Sequence, residues 1–247
     1  MIPATIPRSS PSIPEFIVQE GFRVEPFTRH CQVIHGDGDH AVIGVSPGNS
    51  YFSAQRIQDL ARWGLANFDR VDFVYTDVFQ AEMFVALGYA EIDARRKAVK
   101  NLRGVRAKVT TAVGELDPSG KRLVAHPISE FGGNEAYRGL HADLLDRLAD
   151  DEDFAAVCHA LVGGFLSAKV LAGSEPTAQQ RQVCLDYICA EAPLFLDTPA
   201  ILGVPSSLNC YHQLLPMAEL LYSRGAGLRA SRNQGHAIVT PAEGISL

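Results

Sequence analysis

The most constraining feature of this chain is the succession of patterns between residues 40 and 76. A short apolar run at 41–45 reads AVIGV, and a second at 71–76 reads VDFVYT. Between them Phe52, Ile57, Leu60, Ala61 and Leu65 recur at helical spacing, which predicts an amphipathic helix over 49–68. Strand, helix and strand in about 37 residues make a βαβ unit, whose right-handed crossover demands a parallel sheet. The rest of the chain continues the theme. A short strand is expected at 22–28, helices at 78–88, 92–113 and 134–172, and a strand at 122–128. A further helix is expected over 177–192, stopped by Pro193, and the last strands fall in SSLNCYH and HAIVT. The fold class is therefore α/β, a Rossmann-like parallel sheet with helices on both faces, whose ligands bind beyond the carboxyl ends of the strands. Residues 1–20, with Pro3, Pro7, Pro11 and Pro14, read as a flexible N-terminal arm, and 21–247 as a single domain.

Composition narrows the function classes. Hydrophobic residues make up 47% and charged residues 20% of the 247, ordinary values for a packed domain. No apolar run reaches the roughly 20 residues of a membrane helix, and the opening segment has no signal-peptide centre, so a soluble, cytoplasmic protein without membrane contact is expected. Cys31, Cys158, Cys184, Cys189 and Cys210 are scattered without a C-x-x-C pair, and the eight histidines form no H-E-x-x-H array. Neither zinc nor another catalytic metal is expected.

Charge is unevenly spread. The chain carries −6 overall, yet Arg95, Arg96, Lys97, Lys100, Arg103, Arg106 and Lys108 fall within 95–108 with no acidic residue among them. On a helical wheel Ala98, Leu102, Val105 and Val109 form a narrow packing face, and the charges lie opposite. Small residues on the buried side suit a membrane surface poorly. A phosphate backbone, held by charge without base readout, suits the pattern better, and no aromatic RNA-recognition motif accompanies it.

The first strand delivers Ser46 into Gly44-Val-Ser46-Pro-Gly48, a literal G-x-S-x-G. Three readings stand. Ser46 is a helix N-cap with Pro47 at the first helical position. Or it is a hydrolase nucleophile, although Pro47 has no N–H to offer an oxyanion and 45 preceding residues leave little room for the strands such a fold needs. Or it accepts an acyl group from a donor already activated. Downstream, Tyr187 and Glu191 in LDYICAEAPLF stand at i, i+4 on one helical face, where a carboxylate beside a phenol can hold an ammonium group or move its proton. Glu191 in the last turn of the expected helix would oppose the helix dipole, which invites a functional account. Tyr211 and His212 fall in a strand, so one faces the site and the other away.

Together these segments resemble the cyclodipeptide synthases, which make 2,5-diketopiperazines from two aminoacyl-tRNAs. HAVIGVSPGNSYFS at 40–53, YICAEAP at 187–193 and VPSSLNCYH at 204–212 carry the resemblance, which spans roughly 30–240. Asn49, Tyr211 and His212 match the branch of the family marked by Asn, Tyr and His. The resemblance implies a fold similar to class I tyrosyl- and tryptophanyl-tRNA synthetase catalytic domains, without their H-I-G-H or K-M-S-K-S motifs, and hence no ATP and no other cofactor. It implies ping-pong covalent catalysis through an aminoacyl-serine ester on Ser46 and a dipeptidyl-enzyme. Tyr187 and Glu191 would anchor the amino group, Glu191 would also serve as base, and Tyr211 would relay a proton in ring closure. Gly44, Asn49, His212 and Tyr137 would position substrate or backbone. Val42, Val74, Leu194 and Asn209 would line the first side-chain pocket, with Thr76 bordering the second, and the polar Asn209 disfavours an all-aliphatic first substrate. The basic helix would hold tRNA, with no DNA involved, and a monomer is expected. Another aminoacyl-tRNA-dependent acyltransferase, a serine esterase and a non-catalytic RNA-binding domain are the alternatives.

Overall fold

In the computed structural model, which describes residues 16–167, 176–223 and 228–242, seven strands form one mixed sheet. The strands are β1 (Ile17–Gln19), β2 (Phe22–Pro26), β3 (His40–Val45), β4 (Arg70–Tyr75), β5 (Leu123–Pro127), β6 (Ser207–Tyr211) and β7 (Gln234–Pro241), in the order β1-β2-β7-β6-β3-β4-β5. The five strands from β7 to β5 run parallel, and β1 and β2 are added antiparallel at one edge. The expected arm thus ends earlier than residue 20. Ile17, Val18 and Gln19 pair with Val24, Arg23 and Phe22, because the tight turn at Glu20 and Gly21, both at positive φ, folds the chain back on itself. Residues 1–15 lie outside the described residues.

The helices are α1 (Arg29–Asp37), α2 (Ala54–Asn67), α3 (Gln80–Ala86), α4 (Glu91–Leu116), α5 (Glu135–Asp150), α6 (Glu152–Ser167), α7 (Ala178–Leu202) and α8 (Pro216–Tyr222). The part of the expected 134–172 helix beyond Ser167 falls outside the described residues, and the rest is two helices broken at Asp151. Strands β3 and β4 are buried on both faces, so each alternate row of side chains meets a different core. Ile43, Val45, Phe73 and Tyr75 face the core formed with Ile57, Leu60 and Trp63 of α2 and Val105 and Val109 of α4. Val42 and Val74 face the opposite core with Tyr137 of α5 and Ala190 and Leu194 of α7. Gly64 lets α2 approach β4 closely, since a Cβ there would come within 2.8 Å of Val71 Cγ2.

One of the three readings of Ser46 falls, and one local expectation changes. No helix begins at Ser46: the N-cap of α2 is Ser53, whose hydroxyl accepts the Arg56 N–H at 3.1 Å, and 46–53 is a loop. Nor does Pro193 end the helix that starts at the Thr177 capping box. It sits inside α7, which runs on until Asp197 leaves helical geometry (φ −158°, ψ 69°). Asp197 Oδ1 then accepts the Ala200 N–H at 3.1 Å, restarting the helix as an N-cap with Pro199 in its first turn. Glu191 therefore lies in mid-helix, and the dipole argument for it lapses.

The sheet order places the switch of direction between β3 and β6. From β3 the chain proceeds outward through β4 and β5, then returns to build β6 and β7 on the other side. The crevice beyond the carboxyl ends of β3 and β6 is where ligands bind in sheets of this kind.

Candidate active site

Ser46 follows the last residue of β3, and Tyr211 is the last residue of β6. Because Ile43 pairs with Cys210, the chain ends leave the sheet side by side, and Ser46 Oγ lies 2.8 Å from the Tyr211 hydroxyl. Gly44 lies beneath the Tyr211 ring, where a Cβ would already be in contact with it at 3.4 Å. The loop is folded tightly about Asn49: its N–H donates to the Ser46 carbonyl (3.2 Å) and its side-chain oxygen accepts the Tyr51 N–H (3.0 Å). The Asn49 side chain also bonds Tyr211. Burial raises the Tyr211 pKa, the nearby Glu191 carboxylate adds to this, and the bonds to Ser46 and Asn49 oppose it. His212, just past the strand, turns away from Ser46 and stacks on Tyr51 at 4.1 Å, with Phe52 edge-on at 5.4 Å.

Across the crevice α7 presents Tyr187 and Glu191 on one face, as their spacing predicts. The Thr76 hydroxyl, just past β4, donates to Glu191 Oε1, and Tyr187 bonds both Glu191 and Thr76. Burial raises the Glu191 pKa despite these two donors. The Tyr187 phenol is pushed well above its ordinary value by burial and by the adjacent carboxylate, so it stays protonated. The Tyr137 hydroxyl donates to the Ala190 carbonyl at 2.8 Å, and burial, with the charge of Glu191, pushes its pKa up to about 12. This bond ties α5 to the turn of α7 that carries Glu191.

Below these groups Val42, Val74 and Leu194 share a buried cluster with Ile128, Phe131, Ala190 and Ile201, four residues that periodicity alone does not single out. Asn209 is 5% exposed and pairs in register with Val42, a buried amide beside this cluster. The in-register neighbour of Val42 on its other side, Asp72, centres a charged network. Asp72, fully buried, meets His40 Nε2 at 2.7 Å, Arg70 Nε at 2.8 Å and His126 Nε2 at 3.2 Å, and His40 Nδ1 lies 2.8 Å from Ser207 Oγ. Burial alone would raise the Asp72 carboxyl, but the bonds from His126 and His40 and the Arg70 charge outweigh it and hold the group well below the usual carboxylate range. An aspartate inside the apolar run VDFVY is the sequence signal that marks this network.

The basic helix is α4, packed by Ala98, Val105 and Val109 as the wheel predicts. Its charges divide. Arg95 and Arg96 pair with Glu91 and Asp93 one turn earlier, and Lys97 lies over the rings of Phe84 and Tyr89. Arg106 Nε donates to the Tyr75 hydroxyl at 3.3 Å, and Lys108 Nζ to the Phe52 carbonyl at 2.7 Å. Lys100 and Arg103 are exposed and have no partner among the described residues. No group of three or more His, Cys, Asp and Glu side chains suited to a metal occurs among those residues, and no helix among them is long and apolar enough to cross a membrane.

The model of one protein family, cyclodipeptide synthase, matches residues 22–241. The chain belongs to the cyclodipeptide synthase family. A Mycobacterium tuberculosis relative, cyclo(L-tyrosyl-L-tyrosyl) synthase, is 73% identical over 229 residues, 93% of this chain and 79% of the relative. The solved structure of a Mycobacterium tuberculosis protein, described as showing that cyclodipeptide synthetases are related to type I tRNA synthetases, superposes with a TM-score of 0.88. It is 71% identical and covers 95% of this chain and 100% of that one. A cyclodipeptide synthase from Candidatus Glomeribacter gigasporarum, solved with bound Phe-tRNAPhe, shares the fold at 12% identity and a TM-score of 0.53, covering 84% of this chain and 90% of that one. This cyclodipeptide synthase is thus a transferase built on the Rossmann-like sheet of class I tRNA synthetases, with Ser46 and Tyr211 at its topological switch point.

Proposed function

We propose that this enzyme makes cyclo(L-tyrosyl-L-tyrosyl) from two tyrosyl-tRNAs, with Ser46 as the covalent acceptor and without ATP or metal. The observation that carries the mechanism is the placement of Ser46 and Tyr211, 2.8 Å apart, facing the Glu191, Tyr187 and Thr76 cluster across one crevice. Ser46 Oγ attacks the ester carbonyl of the first aminoacyl-tRNA. The carbon–oxygen bond to the terminal ribose breaks, and the ribose hydroxyl leaves with the proton that Ser46 gives up. The α-ammonium of the new ester is held by Glu191 and Tyr187.

The order of the second step follows from where the dipeptide must remain. Were the second amine to attack the Ser46 ester, the dipeptide would leave on tRNA. Instead the enzyme-bound amine, after losing a proton to Glu191, attacks the second aminoacyl ester and releases the second tRNA. A carboxylate whose pKa is raised by burial accepts such a proton more readily than an ordinary one. The free amine of the dipeptidyl-enzyme then attacks the Ser46 ester, closing the ring as the ester bond to Oγ breaks, and Tyr211 gives its proton to Ser46 Oγ while taking the one that the amine releases. Asn49 and Gly44 hold Tyr211 in place, His212 supports the loop through Tyr51, and the identity of Asn49, Tyr211 and His212 supports membership of the Asn-Tyr-His branch. Lys100 and Arg103 supply charge for the first tRNA, aided by Arg95 and Arg96.

The choice of tyrosine rests on Asn209, a buried amide in register with Val42, which offers a hydrogen bond to a phenol. The 73% identical relative is named for the same product. The test is mass spectrometry of medium from bacteria expressing the wild type and Ser46→Ala. Cyclo(Tyr-Tyr) made by the wild type alone is the expected result. A linear or protein-linked product would move the reaction to another aminoacyl-tRNA-dependent transfer, and a different cyclic product would overturn the tyrosine assignment.

A further inference from the structure

The same helix whose outer face carries the unpaired Lys100 and Arg103 touches the nucleophile loop from beneath at two points. Asn101, one residue along from Lys100, packs against Gly48. A Cβ at Gly48 would overlap the Asn101 amide and lie 2.9 Å from its Cγ, and Gly48 itself adopts φ +77°. Two turns further along α4, Lys108 donates to the Phe52 carbonyl at 2.7 Å. These contacts bracket the loop: Gly48 lies two residues after Ser46, and Phe52 immediately precedes the N-cap of α2. Between them the loop is braced through Asn49, whose N–H and C=O bond Ser46 and Phe52 and whose side chain bonds Tyr51 and Tyr211, and through Tyr51, which stacks on His212 and bonds the Val239 carbonyl. Lys108 is partly buried, and its ammonium is committed to a backbone carbonyl, an arrangement a phosphate-binding lysine does not need.

We propose that Asn101 and Lys108 are positioning residues that fasten the 46–53 loop to α4, so that the helix that captures the donor tRNA also fixes the place of Ser46 relative to it. The inference rests on the functional reading above and divides the basic island into two jobs. Lys100 and Arg103 face outward to phosphate. Lys108 faces inward and sets the geometry of the acylation step, in which a displacement of about 1 Å costs on the order of a hundredfold in rate.

The test separates rate from affinity. Purified wild type, Lys108→Met, Lys108→Arg and Asn101→Ala are each given tyrosyl-tRNA, and formation of the Ser46 adduct is followed by intact-protein mass spectrometry at saturating substrate. Binding of uncharged tRNATyr is measured across a salt series. Lys108→Met is expected to lower the saturating acylation rate about tenfold while leaving the tRNA affinity and its salt slope unchanged. Lys108→Arg recovers most of the rate, because a guanidinium still reaches the Phe52 carbonyl. Asn101→Ala, which removes no charge, slows acylation in the same way and carries the test should Lys108→Met fail to fold. Lys100→Ala is the comparison for a phosphate contact, expected to weaken binding and to flatten the salt slope by about 0.7 to 0.9. The inference is overturned if Lys108→Met flattens the slope as Lys100→Ala does, or if its saturating rate equals that of the wild type. A wild type that forms no adduct would instead overturn the functional reading, so the two failures are told apart by the control.

Discussion

The Ser46 hydroxyl and the Tyr211 phenol, separated by 165 residues in sequence, lie 2.8 Å apart because β3 and β6 are neighbours in the sheet and end at the same level. Either oxygen can donate in this bond, so Tyr211 is placed to take a proton from Ser46 or to return one. Two other phenols, Tyr137 and Tyr187, stand near the same carboxylate, but neither bonds the serine.

Tyr211→Phe removes the hydroxyl and leaves the ring over Gly44. General acid–base assistance of this kind is worth about a hundred- to ten-thousandfold. The variant should still form the aminoacyl-Ser46 ester, since that donor is already activated, but ring closure should slow by at least a hundredfold. Intact-protein mass spectrometry of the reacting enzyme should then show a dipeptidyl adduct accumulating. An adduct pattern and product rate equal to the wild type would remove Tyr211 from the proton path.

Glu191→Gln separates function from stability at a single atom. The amide keeps the shape and can still accept from Thr76, but it neither balances an α-ammonium nor takes its proton, so cyclic product should fall at least a hundredfold. Stability should move the other way. Burial raises the folded-state pKa of Glu191, so the folded protein binds this proton more tightly than the unfolded chain does. Stability linked to the group is therefore full below the unfolded value near 4.5 and is lost as pH rises through the folded value. The variant should melt a few degrees above wild type at pH 8, with the gap closing towards pH 4, measured by thermal unfolding across that range.

Much of this architecture is legible in the sequence, and the exceptions have physical causes. The 40–76 pattern fixes a βαβ unit because fully buried strands and an amphipathic helix have different periods, and the i, i+4 spacing of Tyr187 and Glu191 survives into the site intact. Ser46 misleads because Ser-Pro is a good helix start in isolation, whereas the loop bonds of Asn49 hold the chain out of helix until Ser53. Pro193 misleads because tertiary packing of Leu194, Leu196 and Ala192 offsets a lost helical hydrogen bond, and the break comes instead at Asp197. The inward role of Lys108 is invisible on a helical wheel, which shows direction but not what lies there. The Asp72 network was foreshadowed only by one charge within an apolar strand.

That network yields a stability prediction with its own pH window. Asp72 accepts from His40, Arg70 and His126 at full burial, so Asp72→Asn leaves three donors facing a neutral amide. Removing one partner of a buried ionic network costs about 3 to 5 kcal/mol. Since the Asp72 pKa is depressed on folding, the stability it supplies is present above the unfolded value near 3.8 and is lost as pH falls below it. His126 works in the opposite sense. Its bond to Asp72 raises its pKa, so its contribution is full below about 6.5 and is lost as pH rises through the raised value. Urea unfolding should show the variant far less stable than wild type at pH 6, with the difference shrinking towards pH 3. A difference that stays constant with pH would assign the loss to packing rather than charge.

Asn209→Leu tests the origin of substrate choice. In the wild type the amide stands buried in register with Val42, so a phenol offers it a partner and a phenyl group leaves it unpaired. Sites built to hydrogen-bond a hydroxyl reject the analogue lacking it by about 10⁴ to 10⁵, whereas purely apolar pockets discriminate by about a hundredfold. The leucine variant should therefore admit phenylalanyl and leucyl groups, and cyclic products containing them should appear beside cyclo(Tyr-Tyr) when product mixtures are quantified from one culture. The total yield should fall less than the selectivity, because Ser46, Tyr211 and Glu191 are untouched. If the product mixture stays that of the wild type, the phenol is read elsewhere along the crevice, and Asn209 serves only to pack against Val42.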